Sequence, residues 1–457
     1  MKRRALLAAA AGASVGLAGC GGREPESEPE PWGEPPPADR PNLDDVADAW
    51  GIDEVVDLEE HGVDPFGTEP IEGTLEEVAA DGRLLYLPPG RYRLEETWEF
   101  TEFDSFGLVS DGATVVPEEG FDDEVIELGA PGTASRLLVE GLRFDFRADR
   151  TGGRPIVARV DDDLLLRDVS VSGRQDVDTD TVRVDVASPD GVGRIERLRL
   201  PDGAVAMRPG ITGCEVGDDT RGDLTFADCH VEGFSDNGLY ADPPEGRVRV
   251  LGGYYANNDV ASVRVNADAG SIVRGVHVRC DEPRQRFENM RGIRLRGGDD
   301  VLVEDCLVEM LAVTESDGGV TFSTELTSAT MRDSHVHVDA DGVNAIRIKH
   351  AQESRGLFGR GGSFRVENVT VTGSAATGAA IQANERDDCV FEGLCVHQTG
   401  RNRTGVSATR VNGAIRDAHF AVTDRPYRFT NSNIETTDVS VRRLRESGAR
   451  SRGGCGT

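Results

Sequence analysis

The sequence predicts an all-β fold in which short strands stack as the rungs of a solenoid. Two apolar patterns alternate down the chain and carry that expectation. The first is a strand of form φ-x-φ, where φ is apolar, with its leading residue at Ile126, Ile156, Val182, Val205, Leu239, Val263, Ile293, Val320, Ile346, Ile381, Val406 and Tyr427. Successive positions are 21 to 35 residues apart, with a mean of about 27. The second reads φ-x-φ-x-(Asp/Asn/Gly)-φ-x-φ, as in Leu224 to Val231, Val301 to Val308 and Phe364 to Val371, and usually follows ten to fifteen residues later. Composition agrees: 55 glycines and few aromatic residues in 457 favour many short strands and turns over a helical bundle. No period alternates a strand with a helix long enough for βαβ units, and propeller blades of ~40 residues fit this spacing poorly.

Taken in chain order, residues 1–19 read as a cleavable export signal. Lys2-Arg3-Arg4 precede an apolar stretch, Ala5 to Ala18, that is too short to span a bilayer. The Arg3-Arg4 pair with Leu6-Leu7 resembles a twin-arginine signal, and Leu17-Ala18-Gly19-Cys20 resembles a lipoprotein processing box, which implies lipid attachment at Cys20. No later segment is long and apolar enough to span, so the expected membrane contact is this anchor alone. Residues 20–41 hold seven prolines and six acidic residues around one large apolar side chain, Trp32, and read as an extended stalk. An exported, surface-tethered protein is expected.

The folded region is expected over residues 42–441. A short helix is expected around Ile71 to Ala80, stopped by Asp81-Gly82. Then come Leu84-Leu85-Tyr86-Leu87, the Pro88-Pro89-Gly90 turn and Arg91-Tyr92-Arg93-Leu94, with Ser110-Asp111-Gly112-Ala113-Thr114-Val115-Val116 beyond. This opening resembles that of the pectate-lyase-like superfamily, and departs from it at Gly67-Thr68-Glu69-Pro70, where an Asp-rich turn is common. The resemblance implies a single-stranded right-handed parallel β-helix of about twelve rungs, an N-terminal capping helix, and acidic glycans bound on one outward sheet. Stacking the rungs ~4.8 Å apart buries the φ positions in one continuous core and turns the x positions outward. The longest steps, before Leu239 and Ile381, place inserted loops at Pro209 to Asp223 and at His350 to Ser363. The Arg-rich segment 442–457 is expected to fray.

Acidic residues outnumber basic ones by 82 to 50, a formal net charge of −32, which excludes nucleic-acid binding by bulk charge. Lys2 and Lys349 are the only lysines. Heavy acidity with arginine in place of lysine is the composition expected of a halophilic protein in near-saturating salt, where the Debye length is ~3 Å or less and only direct contacts select a ligand. Among the eight cysteines, Cys229 and Cys306 fall on one inward site three rungs apart, ~14 Å, and so read as core residues beyond disulfide reach. No Cys-x-x-Cys pair supports a zinc site. Asp161-Asp162-Asp163, Asp218-Asp219 and Asp387-Asp388 read as solvated turns rather than calcium sites, so no cofactor is expected.

The register of the first pattern defines two outward rows. One reads Arg183, Ala206, Tyr240, Arg264, Arg294, Thr321, Arg347, Gln382, Ser407 and Arg428; the other reads Asp185, Arg208, Asp242, Asn266, Arg296, Ser323, Lys349, Asn384, Thr409 and Thr430. Arg208, Arg264, Arg294, Arg296, Arg347 and Lys349 make a basic stripe on an acidic chain, with Asp242 and Asn266 beside it. Arginine forks grip carboxylates and sulfates bidentately, so the expected partner of this monomer is a uronate-bearing or sulfated polysaccharide. The competing reading pairs these arginines with acidic neighbours such as Asp299 and Asp300.

Arg347-Ile348-Lys349 resembles the substrate-binding Arg-Ile-Lys of polygalacturonases. The rows offer only Asp185 and Asp242, ~10 Å apart, so hydrolysis by clustered carboxylates is disfavoured. The remaining chemistry is metal-free β-elimination, in which Arg264 neutralises a uronate carboxylate while Tyr240 or Lys349 exchanges the proton. A non-catalytic glycan-binding or surface-adhesion role is the alternative, and an isomerase of polymeric uronates shares the same first step. A further outward row, His230, Tyr254, His277, Leu307, His335, Thr370, Cys395 and His419, falls on another sheet, with His230 and His277 too far apart to share a metal.

Overall fold

The computed structural model describes residues 42–206, 209–352 and 362–444. Cys20, Arg208, the signal and stalk segments and residues 445–457 lie outside the described residues. The chain winds as a right-handed parallel β-helix of about thirteen turns with three lengthwise sheets; the second is the ladder that includes Arg83–Leu87, Ala134–Glu140, Asp223–Ala227 and Val301–Glu304, and the third the ladder that includes Arg91–Leu94, Ser170–Ser172, His230–Glu232, Leu307–Met310 and Cys395–Gln398. The first sheet has 13 strands, from Trp98–Phe100 to Tyr427–Thr430, and its pairings are parallel. One hydrophobic core runs the length of the solenoid, from Val56 to Val422. No rung can bury its own apolar face, so each is stable only between its neighbours.

The inward column of the first sheet is the one expected at every position but Val205. Cys214 takes that place, between the rungs of Val182 and Leu239. Ala204 makes only an isolated bridge to Gln175. The Ala204-Val205-Ala206 triplet mimics a strand in sequence, but it belongs to an insertion that follows Arg199–Leu200. Glu215 therefore replaces Ala206 in the outward row. The loop expected over Pro209 to Asp223 contains the rung strand Cys214–Val216. Trp98 adds a rung ahead of Ile126, which makes the solenoid longer than the twelve rungs read from the repeat.

Among the described residues two α-helices lie at the N-terminal end, on either side of the strand Glu54–Asp57, which pairs with Arg83–Leu87. The first, α1 (Leu43–Trp50), was not expected; Asn42 caps it by accepting the Asp44 N–H at 3.3 Å. Ala47 packs with Leu84, Tyr86, Val109 and Leu138, so α1 lies against the outer face of the second sheet. The second helix, α2 (Glu72–Val78), is the expected one. Its Leu75 and Val78 enter the main core and cover the open end of the first turns.

The corner between the second and third sheets is a single left-handed residue. Asp168, Asp228, Asp305, Asp333 and Asn368 hold it with φ between 51° and 55°, and Gly252 and Gly275 hold the same seat on their rungs. This is the physical content of the Asp/Asn/Gly position in the second sequence pattern, since only glycine and short polar residues adopt that conformation at low cost. Arg197 sits in one such corner at φ 54°, and its guanidinium makes two 2.7 Å bonds to Asp168 on the preceding rung. Asp305→Gly is expected to leave the urea midpoint nearly unchanged, whereas Asp305→Val should cost about 1–2 kcal/mol. Equal losses in both variants would assign the seat to the carboxylate rather than to the backbone.

Cys214, Cys229, Cys280, Cys306 and Cys389 are buried and free. Cys229 and Cys306 play the same part three rungs apart, each directing its thiol toward a carbonyl of the preceding rung, Ile195 and Val273.

Candidate functional site

The outward row of the first sheet runs Glu215, Tyr240, Arg264, Arg294, Thr321, Arg347, Gln382 as successive Cα partners. Asp242, Asn266, Arg296, Ser323 and Lys349 lie two residues further along their strands and share that face. The strands fix these positions because their alternate residues are locked into the core: Ile293, Leu295, Ile346 and Ile348 are fully buried. Turns on the two sides bring in side chains that the repeat does not predict. Asn289, Arg291 and Asp317 come from the turns that enter the sheet, Glu325 and Arg386 from those that leave it.

Asp317 collects several of these donors. Its Oδ2 accepts from Lys349 Nζ at 2.6 Å, from Arg291 Nη2 at 2.7 Å and from Asn289 Nδ2 at 3.2 Å. Burial pushes the carboxyl up, but Lys349 and Arg291 outweigh it and hold Asp317 well below the usual carboxylate range. Lys349 in turn is lowered from its ordinary value, chiefly by burial and against the pull of Asp317. Because the folded-state pKa of Asp317 is depressed, its contribution to stability is fully present above about pH 4, the unfolded carboxylate range, and is lost as pH falls through the folded value. Wild-type protein is expected to lose urea resistance progressively below pH 4, with a shallower dependence in Asp317→Asn. Parallel curves would remove Asp317 as a source of acid sensitivity.

The stripe is partly neutralised in the way the competing reading anticipated, but by other carboxylates. Arg264 pairs with Asp242, which also accepts from Asn266, and Arg296 pairs with Glu325. Asp299 instead accepts the hydroxyls of Thr327 and Ser328, at 2.9 and 2.5 Å, from the corresponding turn of the next rung. The Arg264 guanidinium also lies 4.1 Å from the centroid of the Tyr240 ring, and burial raises the Tyr240 phenol. Glu215, the residue that replaces Ala206, pairs with Arg154 at 2.9 Å.

Two guanidiniums are left over. Among the described residues, Arg294 has no carboxylate partner; its Nε reaches only Ser323 Oγ, at 3.4 Å. Burial, then crowding by Arg291, Arg264 and Arg296, pushes it down to about 10. Arg347 bonds neutral acceptors, Asn384 Oδ1 at 2.7 Å and the Ile348 carbonyl at 2.8 Å, and burial lowers it as well. Thr321 lies between them, fully buried, and its Oγ1 makes no hydrogen bond. The two arginines are thus two rungs apart, ~10 Å along the axis. Tyr240 and Lys349, by contrast, are four rungs or ~19 Å apart, so they cannot serve as acid and base on one sugar. Asp185 and Asp242 remain two rungs apart, and Asp185 is fully buried against Arg183.

Among the described residues no three His, Cys, Asp or Glu side chains converge to hold a metal ion, and no helix is long and apolar enough to cross a membrane. No protein-family model and no curated protein matches the chain. Among solved structures, the chain is similar to the A-module of the mannuronan C-5 epimerase AlgE6 of Azotobacter vinelandii, over 84% of this chain and 99% of that one, at 15% identity and a TM-score of 0.41. It is similar to PfbA, a surface adhesin of Streptococcus pneumoniae, over 85% and 93%, at 10% identity and a TM-score of 0.42. The catalytic unit of an α-1,3-glucanase from Streptomyces thermodiastaticus matches over 84% and 68%, at 14% identity and a TM-score of 0.43. Likeness at this level says nothing of activity.

Proposed function

We propose that the outward face of the first sheet binds acidic polysaccharide, with Arg294 and Arg347 gripping carboxylate or sulfate groups of the bound chain. The observation that carries this reading is that both guanidiniums are half-buried and paired with no described carboxylate, on a chain with 82 acidic residues to choose from. A desolvated, uncompensated cation is costly, and an arriving anion removes that cost with charge-assisted bonds. Arg264, Arg296, Lys349, Asp242 and Asn266 flank the two arginines and offer donors and acceptors to sugar hydroxyls. Tyr240 supplies a stacking platform rather than a proton. The leader and stalk composition supports a protein held at the cell surface through Cys20.

Cleavage by β-elimination is the second reading, and one observation favours it: burial lowers Lys349, on the same strand as Arg347. There Arg347 would neutralise the uronate carboxylate, and Lys349 in its neutral form would take the C5 proton as the C4–O bond breaks.

The test is retention of the mature protein, in multimolar salt, on a panel of uronate-containing and sulfated polysaccharides, with ultraviolet absorbance followed for a new conjugated double bond. Retention on at least one acidic polymer and on no neutral one is expected. Failure to bind any of them would end the proposal. A rise in absorbance that Lys349→Ala abolishes and Tyr240→Phe leaves intact would add the lyase reaction to the binding; no rise would confine the site to binding.

A further inference from the structure

The rung between Arg294 and Arg347 carries no cation. Its first-sheet strand is Gly318–Phe322, and between Arg296 and Arg332 the chain has no arginine or lysine. The outward residue there is Thr321, fully buried. The turns that enter and leave that strand bring carboxylates instead, Asp317, held by Lys349 and Arg291, and Glu325, held by Arg296. The next rungs outward add no free charge. On one side Arg264 is paired with Asp242, and on the other Gln382 and Asn384 are neutral. Among the described residues of this stretch, uncompensated cations therefore stand on alternate rungs only.

The side chains keep the interval that the strands set. Arg294 Nε reaches Ser323 Oγ at 3.4 Å, and Arg347 Nη1 reaches Asn384 Oδ1 at 2.7 Å; each acceptor lies one rung further along the solenoid. Both guanidiniums thus lean the same way by the same step, and their separation stays at two rungs, ~10 Å. In an extended, equatorially linked pyranose chain each sugar advances by about the height of one rung. A polysaccharide laid along the solenoid axis therefore sets every second sugar against a free guanidinium.

We propose that this face selects chains in which two acidic sugars are separated by one sugar that offers it no acid, so that the unit recognised is an acid–spacer–acid trisaccharide. The inference rests on the reading that the face binds acidic polysaccharide, and specifies which. An acidic group turned toward the middle rung meets Thr321 between two carboxylates, and desolvating it there without a cation is unfavourable. A copolymer with an acid on alternate sugars avoids that cost, and so does a homopolymer wound as a two-fold ribbon, which turns every second acid away from the sheet.

The experiment elutes the mature protein, in multimolar salt, from an acidic polysaccharide that retains it. Three trisaccharides carrying the same kind of acidic group serve as competitors: acidic–neutral–acidic, neutral–acidic–acidic, and acidic throughout. The first is expected to halve retention at a concentration about tenfold or more below the second, although both carry two charges, because it alone engages both guanidiniums. Arg294→Ala and Arg347→Ala should each erase that difference. Equal release by the two, or a difference that survives in both variants, would overturn the spacing and leave acidic-polysaccharide binding intact, whereas a wild type retained on no acidic polymer would overturn both. The third competitor separates the two sources. Weaker release than by the first assigns the site to alternating copolymers, and equal release extends it to two-fold homopolymers. Stronger release would mean that the middle acid finds a cation, and would overturn the proposal.

Discussion

Replacing Arg294 and Arg347 together with alanine is expected to weaken retention on acidic polysaccharide by about 100-fold or more, while the midpoint of thermal unfolding stays level or rises. Each charge-assisted, bidentate contact to an anion is worth roughly 1.5–3 kcal/mol, so two of them amount to about 2–4 orders of magnitude in affinity. Stability moves the other way because neither guanidinium balances a described carboxylate, and Arg294 is crowded by Arg291, Arg264 and Arg296. Removing such a charge relieves desolvation and repulsion. Arg264→Ala is the contrasting control: it leaves Asp242 without its cation and should lower stability. Affinity chromatography in multimolar salt and thermal melts of the three proteins decide the matter. A double variant that loses binding and stability together would show the pair to be structural.

Arg386→Ala should be the most destabilising single substitution of those considered, by about 3–5 kcal/mol in urea unfolding. The side chain is 1% exposed and is among the largest fully buried ones. Its Nε donates to the Lys349 carbonyl at 2.8 Å and its Nη2 to the Ser323 carbonyl at 3.0 Å, while the guanidinium stacks 4.7 Å from the Phe364 ring centroid. One residue therefore ties together the exits of successive first-sheet strands, directly behind Lys349. Alanine leaves a cavity and buried carbonyls without donors. Arg386→Lys should recover little, because an ammonium cannot reproduce the fork that reaches both carbonyls. A loss below about 1 kcal/mol for alanine would mean that the strand exits hold without it.

The rungs were legible because a solenoid repeats one burial pattern. Inward residues such as Val263, Ile293 and Ile346 recur with the strands, and their partners follow by counting. The one slipped rung came from Ala204-Val205-Ala206, an apolar triplet in an insertion that local pattern cannot tell from a strand, whereas the true inward residue is a cysteine. Helix α1 was missed although Asn42 followed by Asp44 and Asp45 is a start signal. Its apolar side faces a sheet rather than the solenoid interior. In the site, the stripe could be counted from the repeat, and the pairing of Arg264 with Asp242 follows from the same register. Asp317 could not be found that way. It sits three residues before Val320, in a turn outside the repeat, and its meeting with Lys349 and Arg291 depends on how two turns fold toward the sheet.

The left-handed corner between the second and third sheets bears on how this chain came to be so acidic. Of the short residues that adopt that geometry at low cost, glycine and asparagine are neutral and aspartate adds a carboxylate, while Arg197 holds its own corner with its guanidinium on Asp168. A lineage under pressure to gain carboxylates can convert those corners one by one without disturbing the core or the strand ladders. The sequence shows such a mixture, with Gly252 and Gly275 beside Asp228 and Asp305. Evolvability of surface charge is thus a property of the winding itself, and the remaining glycine corners are the places where further acidity would be most easily accepted.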